Sequence, residues 1–441
     1  MPIYPLESLL FLAVFAIALL ACGFLALRNS TATIALLLMT WIITVALRDS
    51  LDLSVTLSSV RITPLDALSL ILAAIGVARC LSLGVRTVGR GLALALILLV
   101  GFHVVRGIIL FGFQIAISEA RDWIYFSTIL IYAATAPGSW SKRSWQVFAA
   151  GGLLLAIVAV PYLLLDGLHS SSKMIYRDGT WLTERPIVAT GCLLILQSAV
   201  LALGLSWPSK RTAMYFVICA GVIVVLLQHR TLWAAGLAVA FVGFFSWSVR
   251  RVREAESAVF AATGIVLLLL PFAVWGFMRT GTLVASASEA TSSNSTFTWR
   301  TTIWQEFISS HHSASELAAG EPSGANRNRV INGHVLSVSP HNDFVDAYLR
   351  FGLPGVFVLC WLGLLLWHRR AVIAGAIGLT PVTVGLLLIT QLVFSIAYDL
   401  DVVQGAIDGI LVSGLAARGA VHIPVTTAIR LHAPRYGPAN R

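Results

Sequence analysis

The sequence predicts an all-α fold: a polytopic membrane helix bundle of about 12–13 transmembrane helices with one long outer loop containing short helices. Three observations lead there. Hydrophobic residues make up 58% of the 441 positions and charged ones 11%, with a mean hydropathy of +0.86, far from the balance of soluble domains. Apolar runs of membrane-spanning length recur from Leu9 to Ala417 rather than forming one anchor. A single connection, Arg279 to Pro340, is far too long for a simple turn. A water-soluble enzyme is excluded. The formal net charge of +10 comes with no dense basic run or basic region with interleaved aromatics, which excludes nucleic acid as a partner. The lipid bilayer, lipid head groups and phosphate-bearing ligands fit better.

The segment Met1-Pro2-Ile3-Tyr4-Pro5-Leu6-Glu7 lacks the basic region of a cleaved signal peptide, so the first apolar run is expected to remain a helix. Spans follow near 9–27, 31–47, 64–78, 91–113, 123–136, 147–165, 187–207, 213–227, 232–249, 258–278, 353–367, 371–396 and 402–417. Several are shorter than an untilted crossing and need polar flanks or local thinning. Cys22, Cys80, Cys192, Cys219 and Cys360 all lie within or at the end of apolar segments without a CxxC pair, and read as packing residues. The basic loops at Arg79/Arg86/Arg90, Lys142/Arg143, Lys210/Arg211, Arg250/Arg251/Arg253 and Arg369/Arg370 fall on one side, the cytoplasmic one. The N-terminus is then outside, the C-terminus inside and the long loop outside. The expected parts are transmembrane helices over 1–278, the large loop over 279–352, C-terminal transmembrane helices over 353–417 and a cytoplasmic tail over 418–441.

In the loop, Phe297-Thr298-Trp299-Arg300-Thr301-Thr302-Ile303-Trp304-Gln305-Glu306-Phe307 has helical periodicity, with Arg300, Ile303, Trp304 and Phe307 on one face. It reads as an amphipathic helix at the membrane surface. The stretch 284–296 is Ser/Ala-rich and expected to be flexible. Directly before the next span, Ser339-Pro340-His341-Asn342-Asp343 leads through Asp346 and Arg350 to Gly352-Leu353-Pro354-Gly355. Ser339 is expected as N-cap and Pro340 as the first helical residue, which places His341 in the first turn. There the helix dipole disfavours imidazolium, and a neutral ring can accept a proton as a general base must. The plainer alternative is that His341 and Asn342 only finish a loop.

Arginines stand where charge is costly. Arg106 lies inside the fourth span, one helical turn after His103, and Arg230 sits in the tight outer turn Gln228-His229-Arg230-Thr231. An arginine at membrane depth faces a bundle interior or a cavity and is a functional candidate; a structural pairing of Arg106 with Asp66, Glu119 or Asp122 is the alternative. Arg230, Arg300, Arg121 and Arg177 all fall on the outer face with His341. Guanidinium forks sharing a cavity suit a pyrophosphate, and a lipid-linked pyrophosphate sugar suits that depth. Metal binding by His311, His312, His334 and His341 is the competing idea, but no tight ligand spacing supports it. Neither a metal nor a cofactor is expected. Asp49/Asp52 and Asp399/Asp401 are further outer carboxylates that bind sugar hydroxyls or are solvated.

With these residues in view, the chain resembles the bacterial O-antigen ligase and O-antigen polymerase family. Gln228-His229-Arg230-Thr231 is similar to its Arg-containing outer turn, Trp299-Arg300-Thr301-Thr302-Ile303-Trp304 to the Arg-bearing helix of its long loop, and His341-Asn342-Asp343 through Gly355 to its His-Asn motif. The pattern covers about residues 90–417. The resemblance implies an inner-membrane enzyme that transfers a glycan from undecaprenyl pyrophosphate to the hydroxyl of an acceptor glycolipid or glycan, on the periplasmic side, without a metal and with inversion, alongside polysaccharide assembly partners. It implies His341 as the base, with Arg230 and Arg300 holding the pyrophosphate; Arg121, Arg177 and Asn342 are expected to bind substrate. The N-terminus departs from the pattern, with three apolar segments ahead of the basic loop at 84–90. Ligase and polymerase share the motifs. A transporter or flippase of a lipid-linked or anionic substrate is the main alternative, and a non-catalytic scaffold is another; the internal repeat common in transporters is not visible.

Overall fold

The computed structural model of the protein describes residues 20–46, 55–57, 60–84, 87–136, 140–165, 174–177, 180–183, 187–250, 296–310, 313–325, 330–331, 334–335 and 340–419. Fifteen helices lie among them. They are α1 (20–28), α2 (Ser30–Ala46), α3 (Pro64–Leu83), α4 (Val88–Phe111), α5 (Phe113–Thr135), α6 (Lys142–Leu165), α7 (Ala189–Leu205), α8 (Lys210–Leu226), α9 (Arg230–Arg250), α10 (Thr296–Ser310), α11 (Ala314–Ala319), α12 (Asp343–His368), α13 (Arg370–Ile377), α14 (Pro381–Ser395) and α15 (Val402–Gly419). Predicted spans fall on these helices, while 9–19, 258–278, nearly all of 284–296 and the tail beyond 419 lie outside the described residues.

Four of the helices are long and apolar enough to cross a bilayer: Pro64–Leu83, Val88–Phe111, Lys142–Pro161 and Asp343–His368. Shorter apolar runs occupy α2, α7, α9 and α15. The chain is an all-α, multi-pass membrane protein. The predicted single span 371–396 is instead two helices, α13 and α14, bent by 113°. Gly378, at φ 72°, ends α13 in the left-handed region, and Thr380 then caps α14 through the Thr383 amide with Pro381 in the first turn. Three short antiparallel hairpins add strands that the sequence reading did not foresee: β1 (Val55–Leu57) with β2 (Val60–Ile62), β3 (Met174–Arg177) with β4 (Thr180–Thr183), and β5 (Val330–Ile331) with β6 (His334–Val335). All three fall in connections predicted to lie outside.

The core is organised around α5, buried continuously from Tyr125 to Ala136, with α3, α4 and α15 packed against it. Burial on all sides needs small residues where helices meet in lipid, because backbones must approach closely to gain dispersion contact. Gly405 and Gly409 of α15 supply this. A Cβ at Gly405 would stand 2.5 Å from the Phe126 carbonyl oxygen, and one at Gly409 2.6 Å from that of Leu130. Alternate helix ends gather at one end of the bundle: Trp41 Nε1 donates to Asp401 Oδ2 (3.2 Å), Tyr125 OH to Asp66 Oδ1 (2.7 Å) and His229 Nε2 to the Ile187 carbonyl (3.0 Å).

α12 carries the predicted motif and the span after it as one helix with a kink at Gly352 (φ 64°, ψ −159°). α11 causes the close fit there: a Cβ at Gly352 would stand 2.5 Å from the Leu317 carbonyl oxygen. Glu321 N donates to the Leu349 carbonyl (2.7 Å), fastening the segment after α11 to α12 on the outer side of the kink.

Candidate active site

α12 begins later than expected. Its N-cap is Asn342, not Ser339, whose structure lies outside the described residues; Asn342 Oδ1 accepts from the amides of Phe344 (3.0 Å) and Val345 (3.1 Å). A side chain that satisfies two orphan amides outcompetes a cap placed earlier. His341 therefore precedes the helix in a left-handed conformation (φ 48°) rather than sitting in the first turn. The predicted dipole argument does not apply to it. A carboxylate does: His341 Nδ1 is 3.4 Å from Asp399 Oδ2, with side chains 44% and 25% exposed. A carboxylate oxygen beside Nδ1 favours the tautomer with the proton on that nitrogen, so Nε2 carries the basic lone pair.

Asp399 belongs to the connection 396–401 between α14 and α15, and that connection collects the other motifs. Arg300 on α10 donates from Nη1 to the Ala397 carbonyl (2.8 Å) and holds its guanidinium 5.1 Å from the centre of the Tyr398 ring. His229, in the turn before Arg230, lies edge-on to Tyr398 at 6.4 Å. That turn is strained at Gln228 (φ 55°), and both Gln228 and His229 are buried, which fixes where α9 and Arg230 begin. Leu400 N donates to Asp343 Oδ1 (3.0 Å), tying the connection back to the first residue of α12. Ala397, Tyr398 and Asp399 thus bring together Arg300, the Arg230 turn and His341, three features far apart in sequence. Residues 215–360, which contain all three, match the sequence model for O-antigen ligase.

This stretch is similar to O-antigen ligase. The chain is thus a multi-pass membrane protein with a stretch similar to a family of glycan assembly. A comparison with characterised proteins returns no match to the chain.

The amphipathic helix of the matched stretch, α10, keeps the predicted face but turns it on protein. Ile303 and Phe307 pack with Val345 and Leu349 of α12, joined by Trp304 and Tyr348, and Trp304 Nε1 donates to the Pro340 carbonyl (2.6 Å) beside His341. Burial of this face holds Arg300 at the connection. Sequence reasoning missed a second device in the same stretch, the buried Arg350. Its Nε donates to Asp346 Oδ2 (2.6 Å) and its Nη1 to Glu119 Oε1 (2.7 Å), while Trp123 Nε1 donates to the same Asp346 oxygen. The Asp346/Arg350 spacing of four residues was the available signal.

Other predicted residues lie elsewhere. Arg106 Nη1 donates to the carbonyls of Ala319 and Gly320 (both 3.2 Å), not to a carboxylate. His103 Nδ1 meets the Glu321 carbonyl at 2.9 Å, and since that oxygen only accepts, Nδ1 carries the proton. The pair clamps the segment after α11 against α4. Arg121 is 3.2 Å from Asp66 (Nε to Oδ1), in the α3/α5 junction with Tyr125 and Thr63. Arg177 stands on β3 opposite Thr180, and its side chain lies outside the described residues. Asn342 is buried, with Oδ1 engaged as the cap. Among the described residues no group of three or more His, Cys, Asp or Glu is set to hold a metal ion; His311 and His312 lie outside them. Asp401, which ends the connection, accepts from Val403 N (3.1 Å) and Trp41 Nε1. Burial still pushes its carboxyl up from 3.8 to about 6. The protonated form is favoured by folding, so the stability this gives is full below pH 3.8 and lost as pH rises through about 6.

Proposed function

We propose that the protein transfers a glycan from undecaprenyl pyrophosphate to a sugar hydroxyl of an acceptor glycolipid or glycan, at the periplasmic face of the bacterial inner membrane. The single observation that carries this is the meeting of Arg300, the Arg230 turn and His341 on Ala397–Asp399. His341 Nε2 takes the proton of the acceptor hydroxyl as its oxygen attacks the anomeric carbon of the donor sugar. The bond from that carbon to the pyrophosphate oxygen breaks, and undecaprenyl pyrophosphate leaves with the electron pair. Arg230 and Arg300 hold the charge that develops on it. Asp399 keeps the imidazole oriented and offsets the positive charge it gains. One displacement inverts the anomeric centre. Pyrophosphate is a good leaving group and arginines supply the positive charge, so this reading asks for no metal or cofactor.

The test is to incubate purified protein with an undecaprenyl-pyrophosphate glycan, alone and with lipid A core, and resolve the products on a gel. A ladder of longer lipid-linked glycans without lipid A identifies polymerisation, and a single shift that needs lipid A core identifies ligation. Movement of the substrate across liposomes with no bond made would instead establish a transporter and sink the proposal.

A further inference from the structure

The mechanism gives tasks to Arg300, Arg230 and His341 but none to Tyr398, which stands between the carbonyl that holds Arg300 and the carboxylate that meets His341. Among the described residues its ring meets three side chains, each in a different way. Phe394, one turn earlier in α14 and fully buried, stacks on it with centroids 5.0 Å apart and planes 18° from parallel. Tyr398 N also donates to the Phe394 carbonyl (2.9 Å), so backbone and ring are both tied to the bundle core. One face is thereby covered, and the Arg300 guanidinium lies over the ring at 5.1 Å on the face that remains. With both faces taken, His229 meets the rim in a T-shaped arrangement at 6.4 Å, directly before Arg230 starts α9.

These contacts bear on both arginines. A guanidinium this close to a ring centre is attracted by the negative face of the π-system. Arg300 is therefore held from two directions, by the ring and by the Ala397 carbonyl, which accepts from Nη1 at 2.8 Å. That bond uses one N–H of the fork, and the others can reach phosphate oxygens. A long side chain fixed before its ligand arrives loses less rotamer freedom on binding, which raises affinity. His229 is itself locked by donation from Nε2 to the Ile187 carbonyl (3.0 Å), so its contact with the rim aligns the Arg230 turn with the same ring. We infer that Tyr398 is a positioning residue for the donor: its ring preorganises Arg300 beside the Arg230 turn and so sets the affinity for pyrophosphate. The role needs the ring and not the hydroxyl, because the ring makes all three contacts. This rests on the glycan-transfer reading and adds the residue that tunes its donor affinity.

Equilibrium binding of inorganic pyrophosphate to the purified full chain, with the unfolding midpoint recorded alongside, tests it without turnover. Tyr398→Leu is expected to weaken pyrophosphate about 5–30-fold, the range of a desolvated cation–π contact, and Tyr398→Phe to recover most of that affinity. Tyr398→Met, whose flexible side chain refills the space, reads the same loss if the leucine variant has a lowered midpoint. In a double-mutant cycle Tyr398→Leu should add little to Arg300→Ala, since the ring acts through that guanidinium. Under turnover the leucine variant is expected to raise KM for the lipid-linked donor while KM for the acceptor stays within about twofold, a split that general loosening of the fold would not produce. Wild-type affinity in both the leucine and methionine variants, no recovery with phenylalanine, or additive losses in the cycle would overturn the role and leave Arg300 as a donor ligand. Pyrophosphate binding that is indifferent to Arg300→Ala alone would instead remove the donor side of the proposed function, and this inference with it.

Discussion

The two ends of the outer half of α12 each hold a charged partnership, and they differ in kind. Before the helix, His341 meets Asp399 at 3.4 Å with both side chains partly exposed. About two turns into the helix, Arg350 meets Glu119 at 2.7 Å and Asp346 at 2.6 Å with every partner at most 10% exposed. The buried network gives Arg350 two carboxylate partners, although Asp346 Oδ1 stays without a hydrogen bond, and binds α12 to α5. The looser pair is open to a substrate that needs a proton removed. On the proposed reading, chemistry and bracing are separated along one helix by exposure.

Four substitutions sharpen or break that comparison. His341→Ala is expected to lower transfer by about 10²–10⁴-fold, the range of a general base, with an unchanged unfolding midpoint in detergent; substantial turnover in a folded variant removes His341 from its role. Arg350→Met strands the Asp346 and Glu119 carboxylates, at a cost of about 3–5 kcal/mol for a broken buried ion pair. Thermal unfolding at pH 7 reads it as a large drop in midpoint, and a midpoint equal to wild type would put the network among decorative surface pairs. Asp399→Asn keeps the shape but loses the charge beside Nδ1, for about 1.5–3 kcal/mol, read as kcat falling about 10–100-fold with stability kept. If stability falls and kcat holds, Asp399 belongs with the bracing. The smallest effect is that of Asn342→Ala, about 0.5–2 kcal/mol of lost cap, and Asn342→Asp should restore it; loss of activity in both at full stability would mark Asn342 as a substrate ligand.

Apolar run length placed most helices correctly, because burial in lipid leaves a signal in every window of the chain. The shared face of Ile303, Trp304 and Phe307 was legible for the same reason, whereas its target was not, since a lipid surface and the Val345/Leu349 face of α12 present similar chemistry to it. The start of α12 was misread by three residues. Ser339-Pro340 and Asn342 both satisfy local capping rules, and only the three-dimensional fit chooses between them. Arg230, Arg300 and His341 stood out by residue type at costly positions. Tyr398 did not, and Asp399 was read as a sugar-binding or solvated carboxylate rather than as the partner of His341, because an aromatic and an acid in a short connection gain meaning only from what packs beside them.

The kink at Gly352 also has a mechanical consequence. Below it α12 runs about 24 Å at the helical rise of 1.5 Å per residue, through the part of the bundle whose tilt follows bilayer thickness. Above it, the helix is fastened to α10 and to the segment after α11. The bend lets the lower half lean without dragging His341 away from Asp399. If the bend insulates the site from the lipid, turnover should hold level in vesicles of differing acyl-chain length, whereas Gly352→Ala, whose Cβ would meet the Leu317 carbonyl, should lower the unfolding midpoint.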